Sequence, residues 1–561
     1  GVAAPPACSA TAACEAAVSS DPADESPGRP AGWTLPPLPA ELSAAGWLQI
    51  ESLDMEAQGV THRPDGKVVF VEDALPGEVV RVEVQRRKNN WERGQAVERL
   101  QGSAQRVVPR CRYFGLCGGC AMQHVHAGMQ IAVKQRTLED NLWHLGKVRA
   151  ERILPPVDGP AWGYRHRARL SARLVEKKGG VLVGFHEKRS SFIADMNECH
   201  ILPKHISALI TPLREMIIKL SINNRMPQVE VAVGAEVDIL VFRNMEAITD
   251  NDFAILKAFS DTHSQPGRPL QVWLQPKGPE TCYPIYPLDA PKLTYRLRDF
   301  DVEMPYYPTE FTQVNPDINN VMVSRALRLL DPQAGERIAD MFCGIGNFTL
   351  PIARSGATVH GMEGSHALVK RAVENATHNG LQDKVSYEMA NLFDVTEESL
   401  AALGKFDKML IDPPRDGAIQ LVKAFTEETT PQRLVYVSCN PSTLARDAGV
   451  LVHTKGYTLK AAGIVNMFPH TGHVESIAWF EKTSPCMTRE EVDAMEAAEE
   501  AERAIAREAA IAARELREAE LAQIKAAEKA EKLAAKAART AEFQARTAAN
   551  AEKRAAFEAR Q

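Results

Sequence analysis

Cys439 and Glu475 are the two residues whose types and surroundings suit covalent catalysis. Cys439 follows an apolar run that ends at Ser438 and precedes Asn440-Pro441, so a predicted strand delivers its thiol to a loop. Ligands of α/β enzymes bind at that end of the sheet. Most lone cysteines are inert core residues. The polar surroundings of Cys439 and the downstream carboxylate of Glu475 instead favour a nucleophile with a general base.

A glycine-containing loop upstream could hold a nucleoside cofactor. Gly344 and Gly346 lie between a predicted strand and a predicted helix, where glycine lets the backbone approach a ligand. The next strand ends at Glu363, at a spacing suited to an acid that binds ribose hydroxyls. A Gly-x-Gly pair alone also fits a tight turn. Asn347 to Thr349 replace the third glycine of the dinucleotide pattern, which favours S-adenosylmethionine over NAD.

A second loop could place a planar base beside a methyl donor. Asp412-Pro413-Pro414-Arg415 directly follows the apolar run Met409-Leu410-Ile411. An acid followed by two prolines at a strand end recurs in methyltransferases that act on planar nitrogenous groups, and the prolines restrict the loop backbone. The alternative is a rigid turn without a role in binding.

Together these residues predict methylation of a uracil base at C5. That carbon is a poor nucleophile toward a methyl sulfonium. Attack of a thiolate on C6 converts the ring to an enolate, after which C5 can accept the methyl group. A base must then remove the C5 proton so that the thiolate can leave. The reaction requires one nucleophile, one base and a methyl donor that faces the ring, and Cys439 and Glu475 can fill the first two roles.

A separate group of cysteines indicates ligation of a metal ion or cluster. Cys111, Cys117 and Cys120 lie within ten residues, and Cys199 follows much further along the chain. Four thiolates can hold zinc or an iron–sulfur cluster, and the spacing alone does not decide between them. The length of the chain argues against a small disulfide-stabilised fold.

The surrounding elements predict several domains. Residues 1–46 are rich in small residues, Pro and acids, and are expected to be disordered. Short strands in residues 47–103 predict a small β-barrel, and residues 104–310 give a mixed α+β pattern. Strands and helices alternate in residues 311–482, which predicts a doubly wound, mostly parallel sheet. Residues 483–561 are rich in Ala, Glu, Lys and Arg and predict a helical or disordered tail, with a solvated helix favoured over a coiled coil.

Two basic regions favour a nucleic-acid partner, although the formal net charge is −6. The predicted barrel has a basic rim that includes Trp91. If residues 164–174 form a strand, their period of two places four arginines on one face. The rim cations are Arg81, Arg86, Arg87, Lys88, Arg93 and Arg99, and the arginines of the strand are Arg165, Arg167, Arg169 and Arg173.

The remaining patterns argue against a membrane protein. No apolar run reaches the length of about 18 residues that a membrane span needs. The first residues lack the basic flank and apolar run of a secretory signal, so we expect a cytoplasmic protein.

These motifs resemble the RNA uracil-C5 methyltransferase family over residues 47–482. The resemblance rests on the four cysteines, the sequence Phe311-Thr312-Gln313-Val314-Asn315, the glycine loop, the Asp412 loop and the segments around Cys439 and Glu475. Members that act on transfer RNA typically lack the barrel and the cluster. A chain with both is similar to the bacterial branch that modifies 23S ribosomal RNA.

The resemblance implies a class I S-adenosylmethionine methyltransferase domain behind an RNA-binding TRAM domain, which is an oligonucleotide-binding-like barrel, and a central iron–sulfur domain. It implies that Cys439 is the nucleophile and Glu475 the base. It implies a [4Fe–4S] cluster on Cys111, Cys117, Cys120 and Cys199, a monomer, and 23S ribosomal RNA as partner. The implied contacts to S-adenosylmethionine are Gln313, Phe342, Asn347, Glu363, Asn391 and Asp412.

Four other interpretations are open to test. The same chemistry could act on a transfer RNA uridine, or the chain could be a non-catalytic RNA-binding scaffold. A radical methylthiotransferase would need Cys-x3-Cys-x2-Cys, whereas the first gap here is five residues. In a DNA cytosine methyltransferase the catalytic cysteine follows a proline, whereas here Cys439 precedes Pro441.

Overall fold

The computed structural model describes residues 37–559, and the chain divides into two compact units with the boundary after Cys486. Most of the expected disordered extension, residues 1–46, lies outside the described residues. Its last part contains a short helix, α1 (Ala40–Ala44), where no structure was expected. Among the described residues, no helix is long and apolar enough to cross a membrane.

The first strands form a six-stranded sheet around a small apolar core, in agreement with the β-rich pattern of the sequence. Leu48, Ile50, Val69, Val71 and Val80 are buried in this core. The order across the sheet is β1-β5-β6-β4-β3-β2. The strands are β1 (Trp47–Gln49), β2 (Ser52–Leu53), β3 (Gly59–His62), β4 (Val68–Glu72), β5 (Val79–Arg87) and β6 (Trp91–Gln101).

The basic rim of this sheet is less free than the sequence indicates. Four of its six cations form ion pairs within the domain, and Arg86 lies over the ring of Trp91, 5.5 Å from the centroid. The pairs are Arg81–Glu98, Arg87–Glu92, Arg93–Glu56 and Arg99–Glu78. A polyanion that binds this rim must therefore compete with internal carboxylates.

The central region has the expected α+β character. Its main sheet has the order β13-β12-β11-β10-β8-β9, β14 and β15 form a hairpin, and β7 joins the next domain's sheet. The strands are β7 (Arg152–Ile153), β8 (Arg167–Val175), β9 (Gly180–Gly184), β10 (Gln228–Val233), β11 (Asp238–Arg243), β12 (Leu270–Leu274), β13 (Tyr283–Tyr286), β14 (Thr294–Leu297) and β15 (Val302–Pro305). The helices are α2 (Ala127–His144), α3 (Lys204–Ser207), α4 (Ile210–Ile217) and α5 (Asp250–His263).

The prediction of one four-arginine face on β8 is wrong in two respects. The strand begins at Arg167, so Arg165 lies outside it. The guanidinium of Arg167 is turned to the protein, where its Nη1 donates to the carbonyl of Glu310 at 2.7 Å. Backbone carbonyls thus occupy the Arg167 guanidinium in place of solvent or phosphate. Of the arginines on β8, only Arg169 and Arg173 are exposed.

Residues 316–482, with β7 of the central region added at one edge, form the predicted doubly wound sheet, whose order is β18-β17-β16-β19-β20-β22-β21-β7. Strands β16 to β20 are parallel, and β22 is antiparallel to both of its neighbours. The strands are β16 (Arg337–Met341), β17 (Thr358–Glu363), β18 (Val385–Met389), β19 (Lys408–Ile411), β20 (Arg433–Ser438), β21 (Tyr457–Val465) and β22 (Glu475–Lys482). The helices are α6 (Pro316–Leu330), α7 (Thr349–Arg354), α8 (His366–His378), α9 (Glu397–Ala402), α10 (Ile419–Lys423) and α11 (Pro441–His453).

The second unit, Met487–Gln561, consists of one helix, α12 (Arg489–Glu558), up to the last described residues. This agrees with the helix predicted for the tail. Ile505, Ile511, Leu516 and Leu533 are exposed on it, as expected for a solvated helix whose large apolar residues follow no heptad.

Candidate active site

The antiparallel insertion of β22 brings Cys439 and Glu475 to the same edge of the sheet. Cys439 directly follows the last residue of β20, and Glu475 is the first residue of β22. Ser438 pairs with Ser476 across the two strands, so the carboxyl end of β20 meets the amino end of β22. Cys439 is a free, half-buried thiol, whereas Glu475 is 6% exposed.

Burial raises the pKa values of both groups. Burial raises the pKa of Glu475 to about 7, although the nearby guanidinium of Arg415 lowers it. Burial, together with the negative charges of Glu475 and Asp412, raises the pKa of Cys439 to about 11. At neutral pH, Cys439 is therefore a thiol in the free protein, and Glu475 is close to its titration midpoint.

The glycine loop after β16 lies at the same edge and contacts the acid of the next strand. The backbone N–H of Gly344 donates to Glu363 Oε2 at 3.1 Å, and the N–H of Ser365 donates to Oε1 at 3.0 Å. Phe342 has a φ of 65°, a region that non-glycine residues rarely adopt. The loop backbone thus turns sharply where β16 ends, and Glu363 is fixed beside it.

Two further carboxylates complete an acidic edge. Asp340 is fully buried and accepts a hydrogen bond from Thr349 Oγ1 at 2.5 Å. Burial raises its pKa to about 7. Burial, with the charges of Glu475 and Asp340, raises the pKa of Asp412 well above its usual range. A cationic ligand would relieve the repulsion among these carboxylates.

The other residues predicted to contact the cofactor lie at neighbouring strand ends and loops. The Asn347 side chain exchanges two hydrogen bonds of 3.0 Å with Asn319 and accepts one from Tyr295 Oη at 2.8 Å. Gln313 lines a small cavity that also includes Asn319. Asn391 lines a second cavity, although its amide donates to Asp394. The structure thus adds Asn319 and Tyr295 as partners that the motifs did not reveal.

The two aromatic residues considered as stacking partners for a base differ in exposure. The ring of Phe311 is 71% exposed, two residues before Gln313. Phe468 packs partly against the core, with its ring centroid 5.4 Å from that of His473. Phe311 therefore has the more accessible face.

The four cysteines of the upstream group line one cavity in the central region. Cys111, Cys117 and Cys120 come from the segment between β6 and α2, and Cys199 comes from the segment between β9 and α3. Burial and the charges of the other thiols raise the pKa of Cys120 to about 12 and that of Cys199 to about 11. The cavity lining contains no carboxylate, a soft donor set of the kind that iron–sulfur clusters prefer.

No three His, Cys, Asp or Glu side chains in the described part of the chain are arranged to hold a single metal ion.

Comparison with known proteins decides the family. Residues 288–483 match the tRNA (uracil-5-)-methyltransferase family, and residues 48–97 match the TRAM domain. The chain is 76% identical over 444 residues to the 23S rRNA (uracil(1939)-C(5))-methyltransferase RlmD of Chromobacterium violaceum. This alignment covers 79% of this chain and 86% of the relative. It belongs to the RlmD family. The RlmD of Nitrosospira multiformis is 59% identical and covers 77% of this chain and 98% of that relative.

A solved structure supports the fold of the RlmD-like part. The tRNA (uracil-54, C5)-methyltransferase of Pyrococcus abyssi, in complex with S-adenosyl-L-homocysteine, aligns with a TM-score of 0.58 and 24% identity. The alignment covers 77% of this chain and 99% of that one. At this identity the likeness shows a shared fold, and the α/β methyltransferase architecture agrees with the sequence analysis.

Proposed function

We propose that the protein transfers a methyl group from S-adenosylmethionine to C5 of a uridine in 23S ribosomal RNA. The observation that carries this proposal is the meeting of Cys439 and Glu475 at the acidic edge of a methyltransferase sheet, in a chain of the RlmD family. The half-buried thiol of Cys439 is accessible to a nucleobase, and the buried carboxylate of Glu475 can accept a proton near neutral pH.

The reaction comprises two proton movements, the formation and later cleavage of one S–C6 bond, and one methyl transfer. The Cys439 thiol gives its proton to water, its sulfur bonds to C6 of the uracil, and the ring electrons shift toward the C4 carbonyl oxygen as an enolate. S-adenosylmethionine supplies the methyl group to C5 and becomes a neutral thioether. Glu475 then removes the C5 proton, and the electrons of that C–H bond restore the ring double bond as the C6–S bond breaks. The target uridine must be flipped out of its stack to reach Cys439.

The donor pocket in this proposal follows the carboxyl ends of β16 to β19. Glu363 binds the ribose hydroxyls, and the acidic edge attracts the positive sulfonium. The residues assigned to the donor are Gln313, Phe342, Asn347, Glu363, Asn391 and Asp412. The hydrogen bond from Gly344 to Glu363 and the burial of Asp412 support this assignment.

We also assign a [4Fe–4S] cluster to Cys111, Cys117, Cys120 and Cys199. Their convergence on one carboxylate-free cavity supports the assignment, because thiolates are the usual ligands of such clusters. The cluster would stabilise the central domain, and none of the chemical steps depends on it.

The domain assignment places RNA binding on residues 47–103 and 104–310 and catalysis on residues 311–482. The match of residues 48–97 to the TRAM domain supports the first part. We propose that the protein acts as a monomer in the cytoplasm, where ribosomal RNA is made.

Incubation of the protein with labelled S-adenosylmethionine and separate pools of 23S ribosomal RNA and transfer RNA tests the substrate. We expect label at one uridine of 23S RNA. Label confined to transfer RNA would establish the alternative substrate, and no label on either pool would favour a non-catalytic scaffold.

RNA with 5-fluorouridine at the mapped position tests the nucleophile. Its C5 carries fluorine in place of the proton that Glu475 would remove, so the covalent adduct cannot break down. A covalent complex should persist on a denaturing gel with the wild type and be absent with Cys439→Ala. Glu475→Gln should reduce turnover about 10²- to 10⁴-fold, the usual contribution of a general base, and should accumulate the adduct on normal RNA. A covalent complex with Cys439→Ala would contradict the assignment of the nucleophile.

A further inference from the structure

Residues 466–474 form a loop that leads directly to Glu475, which we call the base loop. Val465 at the end of β21 pairs with Glu475 at the start of β22, so the loop begins and ends beside the proposed base. The conformation of this short segment, together with the pairing of β22 with β20 and β21, therefore sets where the Glu475 carboxylate lies. Asn466, Phe468 and His470 are the members of the loop that hydrogen-bond to side chains of α2.

Lys134 of α2 is fully buried beneath the base loop. Its Nζ donates to Asn466 Oδ1 at 2.7 Å and to the carbonyl of Phe468 at 2.9 Å. The Asn466 amide in turn donates to Asp158 Oδ1 at 2.8 Å. A buried ammonium is unfavourable unless its hydrogen bonds are satisfied. Both of these hydrogen bonds lead to the base loop, so the burial of Lys134 is tied to the position of that loop.

A second residue of α2 holds the middle of the base loop. Gln130 Oε1 accepts from the N–H of His470 at 2.9 Å, and its Nε2 donates to the carbonyls of Met122 and Val125. The carbonyl of His470 accepts from the N–H groups of Ala121 and Met122 at 2.8 and 2.9 Å. These contacts join the loop to the segment that follows Cys120.

The base loop has little freedom to adopt another conformation. His470 has a φ of 65°, which a non-glycine residue adopts only where its surroundings enforce it. At Gly472, an added Cβ would lie 1.4 Å from the carbonyl oxygen of Met55, in the segment between β2 and β3. Contacts from three separate parts of the chain thus meet on nine residues.

We propose that Lys134 is a positioning residue for Glu475. This inference rests on the proposed function. By fixing Asn466 and Phe468, Lys134 holds the base loop in the conformation from which Glu475 reaches the C5 proton. Lys134 does not contact the substrate in this proposal. Its removal should slow the proton-removal step, while the attack of Cys439 and the methyl transfer should change less.

The test compares Lys134→Met with Lys408→Met in the full-length protein. Lys408 is a matched control because it is also buried, forms an ion pair with Glu336 at 3.0 Å and donates to the carbonyl of Asp331, but lies at the amino end of β19, away from the site. Methyl transfer, product release and the amount of covalent Cys439–RNA adduct are measured on normal RNA, together with the thermal unfolding midpoint.

We expect Lys134→Met to reduce turnover about tenfold or more and to accumulate adduct. A misplaced Glu475 removes the C5 proton slowly, and the product stays bound to Cys439 until that proton is removed. Lys408→Met should accumulate no adduct, even if its unfolding midpoint falls equally. A parallel loss of adduct formation and turnover in Lys134→Met would overturn the proposal, and so would unchanged turnover. If Lys134→Met does not fold, Asn466→Ala decides by the same readouts, because it removes an acceptor of Lys134 from the loop.

Glu475→Gln in the same assay separates this inference from the proposed function. If Glu475→Gln fails to accumulate adduct, the assignment of the base is wrong. If it accumulates adduct and both Lys134→Met and Asn466→Ala do not, only the positioning role fails.

Discussion

Cys439 differs from most reactive cysteines in its protonation. Many nucleophilic cysteines have pKa values lowered by nearby cations or helix N-termini. Here burial and the negative charges of Glu475 and Asp412 raise the pKa of the thiol to about 11. Loss of the thiol proton is therefore unfavourable in the free protein. Such a thiol resists oxidation in the free protein, because the thiolate is the form that reacts.

The pH dependence of adduct resolution should follow Glu475. Its pKa is raised to about 7, and only the deprotonated carboxylate can accept the C5 proton. The rate at which the covalent adduct decays should increase as pH rises through about 7 and level off above that value. Decay of the covalent adduct, measured in single turnovers across this range, checks the prediction.

Arg415 provides a control for that pH profile, because its positive charge lowers the pKa of Glu475. Arg415→Gln should move the midpoint of the profile to higher pH. A profile that is flat between pH 6 and 8 would contradict the role of Glu475, since about one pH unit on each side covers most of a titration.

At the scale of elements, two carboxylates, Glu78 and Asp73, hold the segment after β6 to the barrel through Arg106. Glu78 is fully buried and accepts hydrogen bonds from Arg106 Nε at 2.7 Å, Arg99 Nε at 3.0 Å and the N–H of Ser103 at 3.1 Å. Burial alone would raise its pKa, but Arg106 and the N–H groups of Leu75 and Ser103 lower it to about 2. Its contribution to stability is thus fully present above its unfolded value and is lost as pH falls toward 2.

Glu78→Gln should destabilise the barrel by about 3–5 kcal/mol, the usual effect of removing one partner from a buried ion pair. Denaturant unfolding monitored by Trp91 fluorescence gives this quantity. Glu98→Gln is the control, because its pair with Arg81 is about half exposed and should contribute less than about 1 kcal/mol. Equal effects of the two substitutions would contradict this account.

The sequence predicts the elements whose signal is local. Glu363, Asp412 and Cys439 follow apolar runs or end them, and the ends of parallel strands share one edge of a sheet. Their proximity therefore follows from the order of strands and helices. Lys134 gave no such signal, because its partner Asn466 lies 332 residues away. The exposure predicted for Arg167 is wrong for the same reason, because the carbonyl groups that bind it come from a segment more than 140 residues downstream.

At the scale of the whole molecule, a chain with a net charge of −6 must bind a polyanion. Ion pairs within the barrel use several of the rim cations. Arg169 and Arg173 are exposed on β8, and Arg169 also pairs with Glu230. RNA binding must therefore depend on the local distribution of charge rather than on its sum.

The affinity for a 23S RNA fragment should fall steeply with salt. Each phosphate contact that releases a counterion contributes about 0.7 to 0.9 to the slope of log affinity against log salt. Cys439→Ala is the suitable protein for equilibrium titrations, because it cannot form the covalent adduct. Arg169→Gln with Arg173→Gln should reduce the slope by about one or two. Binding that is insensitive to salt from low to physiological concentrations would show that these cations do not meet phosphate.

The register of β20 and β22 has an evolutionary consequence. Ser438 faces Ser476, so the proposed nucleophile and the proposed base are held together by backbone pairing, although 35 residues separate them in the sequence. Substitutions and length changes in exposed parts of the intervening segment leave this pairing intact, and relatives can diverge there without losing the pair. A slip of one residue along β22 would turn every side chain of the strand to the opposite face and remove the base from the site in a single step. The position of the proposed base therefore depends on strand register as well as on residue identity.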